Sequence, residues 1–399
     1  MKNCINFAKT TFLHKNLYFC QIVRTSSIDM AEGQTVNQTP KKPQSRPQKS
    51  STREWIDAIL LATVTVIMVQ WGIASFSAIP TPSMEGTLLT GDFLLVSKIH
   101  YGARLPITPL QMPLTHQTIW KTGIPSYLDW IQLPYFRFPA ISSVQRNDVV
   151  VFNYPGKDEA SFPIDQRTPF VKRCVGLPND KIALKEMKLY VNDELAVQPA
   201  KLQSSYYILS DMPIAESAFA LLNITDIRSA PNGYVVNTDA FTAKKINQLP
   251  NVKEVIMMKD AKNNPSDNVF PYAKEFAWNM DNFGELIIPA KNMTIPLDKK
   301  NVLLYESILL RHEGNENAEV KDGQFYINNQ VVKSYTFKQN YYFMLGDNRH
   351  NSDDSRVWGF VPENHILGKA LSVWWSLRPD TNADFFDRIR WDRVGKGIE

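Results

Sequence analysis

The sequence predicts a mostly β domain with an inserted subdomain, preceded by one N-terminal transmembrane helix. Three observations lead to this. Ala58 to Ile79 contains no Asp, Glu, Lys or Arg; the residues after it fall into short apolar runs bounded by turn residues; and two look-alike hairpin sequences are separated by about 130 less patterned residues. At 399 residues, 44% apolar and 11% aromatic, the chain has ample material for a packed core.

The elements follow in chain order. Residues 1–53 hold nine Lys/Arg against Asp29 and Glu32, so this tail carries +7 of the net charge of +4 and the remainder sums to −3. The folded part therefore lacks the basic surplus that nucleic acid demands, and no nucleic-acid partner is expected. Residues 33–53 are rich in Pro, Gln, Ser and Lys and read as a tether with little to bury. Residues 1–29 are basic and lack acids before Asp29; they read as an organellar presequence, a short amphipathic surface segment or sequence upstream of a start at Met30, and the last is the expectation.

Ala58–Ile79 would span roughly 33 Å as a helix, enough to cross a bilayer core. Its length and the long segment before it separate it from a cleaved signal peptide. The expected anchor is 54–79, ended by Pro80. The basic flank on its N-terminal side places the tail in the cytoplasm and the rest outside, by the positive-inside rule. The alternative, a core helix of a soluble protein, leaves the basic flank unexplained.

Seven runs then read as strands: 93–99, 148–154, 169–177, 188–196, 324–332, 341–346 and 370–375. KLYVNDELA (188–196) and QFYINNQVV (324–332) are alike, each a strand, an Asn-Asp or Asn-Asn turn and a second strand. The domain is expected over 80–378, with inserts at 104–145 and 186–335 and a C-terminal tail at 379–399. The first insert holds Trp120, Tyr127, Trp130, Tyr135, Phe136 and Phe138 among six prolines, a composition suited to burial or to the lipid interface. Cys4, Cys20 and Cys174 make no disulfide framework, and without CxxC or HExxH neither a metal nor a cofactor is expected.

Three stretches carry chemistry: TPSMEGTLLTGD around Ser83, FVKRCVGLPND around Lys172, and GDNRHNSDDSRVWGFVP from Gly346 to Pro362. If 170–175 is a strand, Phe170, Lys172 and Cys174 share one face while Val171, Arg173 and Val175 share the other. A free lysine, with a pKa of about 10.4, is neutral only about four times in ten thousand at pH 7. Burial against Phe170, Cys174 and Met84 would disfavour the ammonium and make Lys172 a usable base. Taken alone, Lys172 beside Arg173 is more simply a surface lysine, and Thr81 a turn residue; the three stretches together shift the balance. Asp354 and Arg356, two apart on an extended segment, would pair as structural support. His350 invites assignment as a base, but it sits in a polar loop beside Asn351.

With the anchor and the NDVVVFNYP strand, these stretches resemble the bacterial type I signal peptidases, a family with a signal-peptidase-like β-domain and a Ser-Lys dyad. The likeness covers four separated blocks and leaves out the tail, the aromatic insert and most of 186–335. It implies Ser83 as nucleophile, Lys172 as general base, Thr81 as an oxyanion donor and Ser352 as the residue orienting the lysine. Gly346 and Asn348 shape the supporting turn, and Ile79, Pro80, Met84, Leu88, Phe170 and Val171 line the substrate groove. Thr81 stands where the family commonly has serine, and Asn179 where it usually has glycine; Asn tolerates the left-handed turn.

The implied activity is removal of signal peptides from exported pre-proteins after small residues at −3 and −1. The implied location is the bacterial inner membrane, with pre-proteins, the lipid bilayer and the secretion translocon as partners. Two other readings stand beside it. A scaffold that kept the fold could discard Ser83 or Lys172, yet both are present; an organellar peptidase would share the chemistry, and the size and inserts argue against it.

Overall fold

The computed structural model describes residues 50–112, 115, 117–119, 122–379 and 384–398. The expectations for Met30, residues 1–49 and Trp120 lie outside the described residues. A helix, α1, runs from Ser51 to Gly72 with no buried residue, and with a mean hydropathy of 1.6 it is long and apolar enough to cross a membrane. Thr63 and Thr65 fit this apolar helix because their hydroxyls donate to the carbonyls of Ile59 and Leu61, at 2.9 and 2.8 Å.

The helix ends at Gly72 rather than at Ile79. Glycine weakens the helix there, and Ala74–Ala78 instead forms strand β1, paired antiparallel with β2 (Asp92–Ser97) from Ala74↔Ser97 to Ala78↔Phe93. A continuous apolar run does not by itself say where helix gives way to strand.

β1 and β2 open an antiparallel seven-stranded sheet. Its order is β1, β2, Ile366–Ser376, β3 (Val149–Asn153), β4 (Pro169–Gly176), Tyr341–Leu345 and Val361–Pro362. One apolar cluster on it gathers Ile79, Met84, Leu88, Leu94, Val96, Val149, Val151, Val171 and Val373. Another gathers Val150, Phe152, Cys174, Tyr342, Met344 and Trp358. Val149, Val151 and Val171 thus face the first core and Val150, Phe152, Phe170 and Cys174 the second, as period-2 alternation demands.

The interval 186–335 divides into parts. Lys188–Val191 belongs to a four-stranded sheet with Lys181–Lys185, Phe283–Ile287 and Glu194–Leu195. Four more strands, Val252–Met257, Gln203–Ser210, Gly233–Asp239 and Ile227–Ala230, make a separate sheet with its own core of Tyr206, Ile208, Phe219, Val236 and Ile246. The two similar sequences form matching three-stranded meanders, 181–195 and 318–331. Their tight turns hold both central residues at positive φ, Asn192 and Asp193 in the first and Asn328 and Asn329 in the second. In the first insert Trp130 is 82% exposed, and Ile131, Phe136, Phe138 and Ile141 are exposed beside it in sequence.

The C-terminal residues fold back along the sheet. Ile398 N–H donates to Leu371 O at 2.9 Å, and buried Arg393 grips Asp92.

Candidate active site

Ser83 sits in a one-turn 3-10 segment, Pro82–Met84, where the chain leaves β1. Proline suits this place: it presets φ for the turn and lacks the N–H that the turn would leave unpaired. The turn is fixed from behind. Asn348 donates its N–H to Ser83 O (3.1 Å) and its side-chain amide to Pro82 O (3.3 Å). Gly86, at φ +100°, lies so close to Lys201 that an added Cβ would stand 2.1 Å from the Lys201 carbonyl oxygen.

Lys172 reaches the turn from β4, where it pairs with Val150 of β3. Its Nζ lies 2.7 Å from Ser83 Oγ and 3.2 Å from Val171 O, and 5.3 Å from the centre of the Phe170 ring. Only 2% of the residue is exposed. Burial pushes the ammonium down to about 8, against the pull of Asp354, Asp353 and Asp347; Arg356 adds to the lowering. At that value roughly one lysine in ten is neutral at pH 7.

The loop from Gly346 to Asp354 closes the site. Gly346 admits no side chain, since an added Cβ would meet Ser352 Oγ at 2.1 Å and Ser83 O at 2.6 Å. Asp354 accepts from Gly346 N–H at 3.0 Å and pairs with Arg356 through Nε at 2.9 Å and Nη2 at 2.7 Å. Burial raises the Asp354 carboxyl, but the charge and bonds of Arg356 outweigh it and hold it below the usual carboxylate range. The segment is not extended as the i, i+2 spacing suggests. Asp354 caps a short helix, Ser355–Trp358, by accepting from Arg356 N–H, and the ion pair forms around that cap.

Other expected residues are placed as follows. Thr81 Oγ1 stands 3.4 Å from Ser83 Oγ at the exposed mouth of the turn. Ser352 Oγ is beside Gly346, but its polar contact is Asp353 O at 3.4 Å, and Lys172 Nζ bonds Ser83 and Val171 instead. Ile79, Met84, Leu88 and Val171 come together in one cluster, with Pro80 exposed beside Ile79. Phe170 does not join them: it stacks on Tyr154 at 5.0 Å and meets Trp358 edge-on at 5.3 Å. The alternation within β4 sends it to the opposite core from Val171. Both ring nitrogens of His350 are taken, by Ser205 N–H and by Asp281.

Sequence reasoning missed a second buried layer. Arg173 forks onto Asp347 through Nε at 2.9 Å and Nη2 at 2.8 Å, and Thr87 Oγ1 donates to the same carboxylate at 2.6 Å. Thr87 O in turn accepts from Arg393, which is paired with Asp92. The only signal was a charged pair, Lys-Arg, inside an otherwise apolar strand.

A buried serine–lysine contact on an antiparallel β-sheet, in a chain that also carries a helix long and apolar enough to cross a membrane, is the arrangement this site presents. The family model "Signal peptidase, peptidase S26" matches residues 52–268 and 287–375, and the chain belongs to that family. Its relatives include the signal peptidase I of Buchnera aphidicola subsp. Schizaphis graminum, 28% identical over 79% of this chain and 72% of that one. Those of Buchnera aphidicola subsp. Acyrthosiphon pisum (26%, covering 88% and 85%) and Pseudomonas aeruginosa (23%, covering 92% and 88%) are also similar. The chain is an enzyme of the type I signal peptidase class, and its apolar helix fits a membrane-anchored protein.

Proposed function

We propose that this chain is a membrane-anchored endopeptidase that removes signal peptides from exported pre-proteins after small residues at −3 and −1, using Ser83 and a neutral Lys172. The observation that carries this reading is the 2.7 Å contact between Ser83 Oγ and a buried lysine nitrogen pushed down to about 8. Neutral Lys172 takes the Ser83 proton as Oγ attacks the scissile carbonyl carbon, and an oxyanion forms on the carbonyl oxygen. The Ser83 N–H and Thr81 Oγ1–H supply donors to that oxygen. The lysine then gives its proton to the departing amine. Water hydrolyses the ester by the same transfers in reverse, which restores Ser83 and neutral Lys172. Asn348 acts from the supporting loop by holding the turn, and Ser352, whose hydroxyl packs beside Gly346 and contacts Asp353 O rather than Lys172, borders the site without bonding the lysine.

The substrate binds extended. The strand Tyr341–Leu345 pairs with β4 only over Arg173–Gly176, so Pro169–Lys172 keep one unpaired edge beside Ser83, and β1 ends the sheet. A peptide added there presents alternate side chains to the wall of Ile79, Met84, Leu88 and Val171. A shallow apolar wall favours small residues by leaving no room for large ones.

The bilayer fixes the location. The uncharged helical part, 58–72, is roughly 22 Å long, less than the roughly 30 Å hydrocarbon core, so Ile73 and Phe76 fall at the membrane surface. Lys98 N–H bonds Ile73 O, and Ile141 N–H bonds Ile99 O, which ties the exposed aromatic insert to the helix exit. The tail faces the cytoplasm, the site faces outward at the bacterial inner membrane, and the translocon delivers the substrates.

Detergent-solubilised protein incubated with a pre-protein tests the reading. The full-length chain should release the mature protein and the Ser83→Ala chain should not. Equal cleavage by both would overturn it.

A further inference from the structure

We propose that His350 is a positioning residue for this reaction: held as the neutral Nε2–H tautomer, it bolts the loop carrying Ser352 and Asp354 to the inserted subdomain and so keeps Lys172 buried against Ser83. The inference rests on the endopeptidase reading above. His350 accepts from the Ser205 N–H through Nδ1 at 2.9 Å, which leaves the ring proton on Nε2, and Nε2 donates to Asp281 Oδ1 at 2.9 Å. Asp281 is itself anchored. Its other oxygen accepts from Asp260 N–H at 2.7 Å, and its carbonyl accepts from Met187 N–H at 2.9 Å. Burial raises the Asp281 carboxyl, but the bonds from His350 and Asp260 and the charge of Arg356 outweigh it, so it remains a carboxylate.

The same loop is fastened to the subdomain's strand Gln203–Ser210 by two more bonds. Gln203 N–H donates to Asp347 O and Arg349 N–H donates to Gln203 O, both at 2.9 Å. On its other side Asn348 holds Ser83 and Pro82. The loop is thus clamped between the nucleophile turn and the insert, and His350 is the one side chain in it that reaches both Ser205 and Asp281. The ionic groups that act on Lys172, namely Asp354, Asp353, Asp347 and Arg356, stand on this loop or next to it in sequence. A loop released from the insert lets water reach Lys172. Because burial outweighs the carboxylates there, the lysine then returns toward its ordinary value and fewer molecules hold a neutral base.

The test compares His350→Leu, which fills the space without hydrogen bonds, with His350→Gln, whose side-chain amide can reach Asp281. The full-length detergent-solubilised protein and a pre-protein with Ala at −3 and −1 are used throughout. The Leu variant should lose at least tenfold in kcat with KM within threefold, and its ascending pH limb should move at least half a unit upward. The Gln variant should keep kcat within threefold and the wild-type limb. A Leu variant with wild-type kcat and limb, or a Gln variant that falls with it, would overturn the proposal. Should Leu fail to fold, His350→Met, which likewise fills the space without a hydrogen-bond donor for Asp281, is judged by the criteria set for Leu. Failure of the wild-type protein to cut would count against the endopeptidase reading, whereas wild-type cleavage with an unchanged Leu variant counts against His350 alone.

Discussion

Lys172→Met should abolish cleavage and at the same time make the protein more stable. The side chain is nearly fully buried, and its ammonium is held at about 8 against an ordinary 10.5. At roughly 1.4 kcal/mol per pKa unit, that gap corresponds to about 3 kcal/mol spent on keeping a buried, ionisable group at pH 7. The sign follows from proton binding. Between pH 8 and 10.5 the unfolded chain holds more protons on this lysine than the folded one, so stability rises with pH across that window, and below pH 8 the full penalty stands. Methionine fits a similar volume without the penalty and leaves Ser83 Oγ one polar contact short, so a net gain of about 2 kcal/mol is expected at pH 7. Urea unfolding of the detergent-solubilised chain at pH 7 and at pH 10.5 measures both quantities. The gain should be present at pH 7 and mostly gone at pH 10.5. A Met variant less stable than wild type at pH 7, or a difference that does not change with pH, would refute the claim that burial depresses this lysine.

Further outcomes follow from the same geometry. Lys172→Arg keeps the charge but cannot give it up near neutral pH, so cleavage should fall by at least a thousandfold in a pre-protein assay; retention of most activity would remove Lys172 as base. Wild-type activity should climb with pH through about 8, as neutral Lys172 accumulates, and a limb centred near the ordinary lysine value would contradict the buried site. Asp354→Ala leaves Arg356 charged and unpaired in the interior and should cost roughly 3–5 kcal/mol, read as a fall in the urea midpoint. Trp130, exposed in the first insert, should be quenched by lipid-borne quenchers when the protein is in vesicles, and no quenching would separate that insert from the bilayer.

What could be read from the sequence was local. Ser83 stands between turn residues at the end of an apolar run, and Lys172 interrupts a strand, so both show themselves within a few residues of chain. The strand runs were legible because alternation survives in any window, and the structure places a strand in each of the seven. Bonds that span the chain were not legible. Arg173 meets Asp347 across 174 residues because β4 pairs with Tyr341–Leu345, and Arg393 meets Asp92 across 301 because the C-terminal residues fold back along the sheet. Boundaries also failed where two structures share one composition: the apolar run 58–79 supplies both a helix and a strand, and pairing with β2 decides the switch at Gly72. Phe170, which the resemblance places in the groove, lies on the opposite core from Val171, as alternation along β4 requires.

The two kinds of residue divide the work of the site. On the proposed reading Lys172 serves as base only while it is poorly solvated, and nothing in its own strand guarantees that, since the bonds of β4 fix its backbone and leave its amine free to seek water. The dry environment comes from elements far apart in sequence: the Asn348 bonds that press the nucleophile turn inward, the Asp354–Arg356 pair that closes the loop on itself, and the Arg173–Asp347–Thr87 layer beneath. A motif search finds the reacting atoms because they are few and close in sequence. The surroundings that shift the lysine are built by topology, which is why a chain could keep both motif residues and still lose the reaction if this supporting loop came loose.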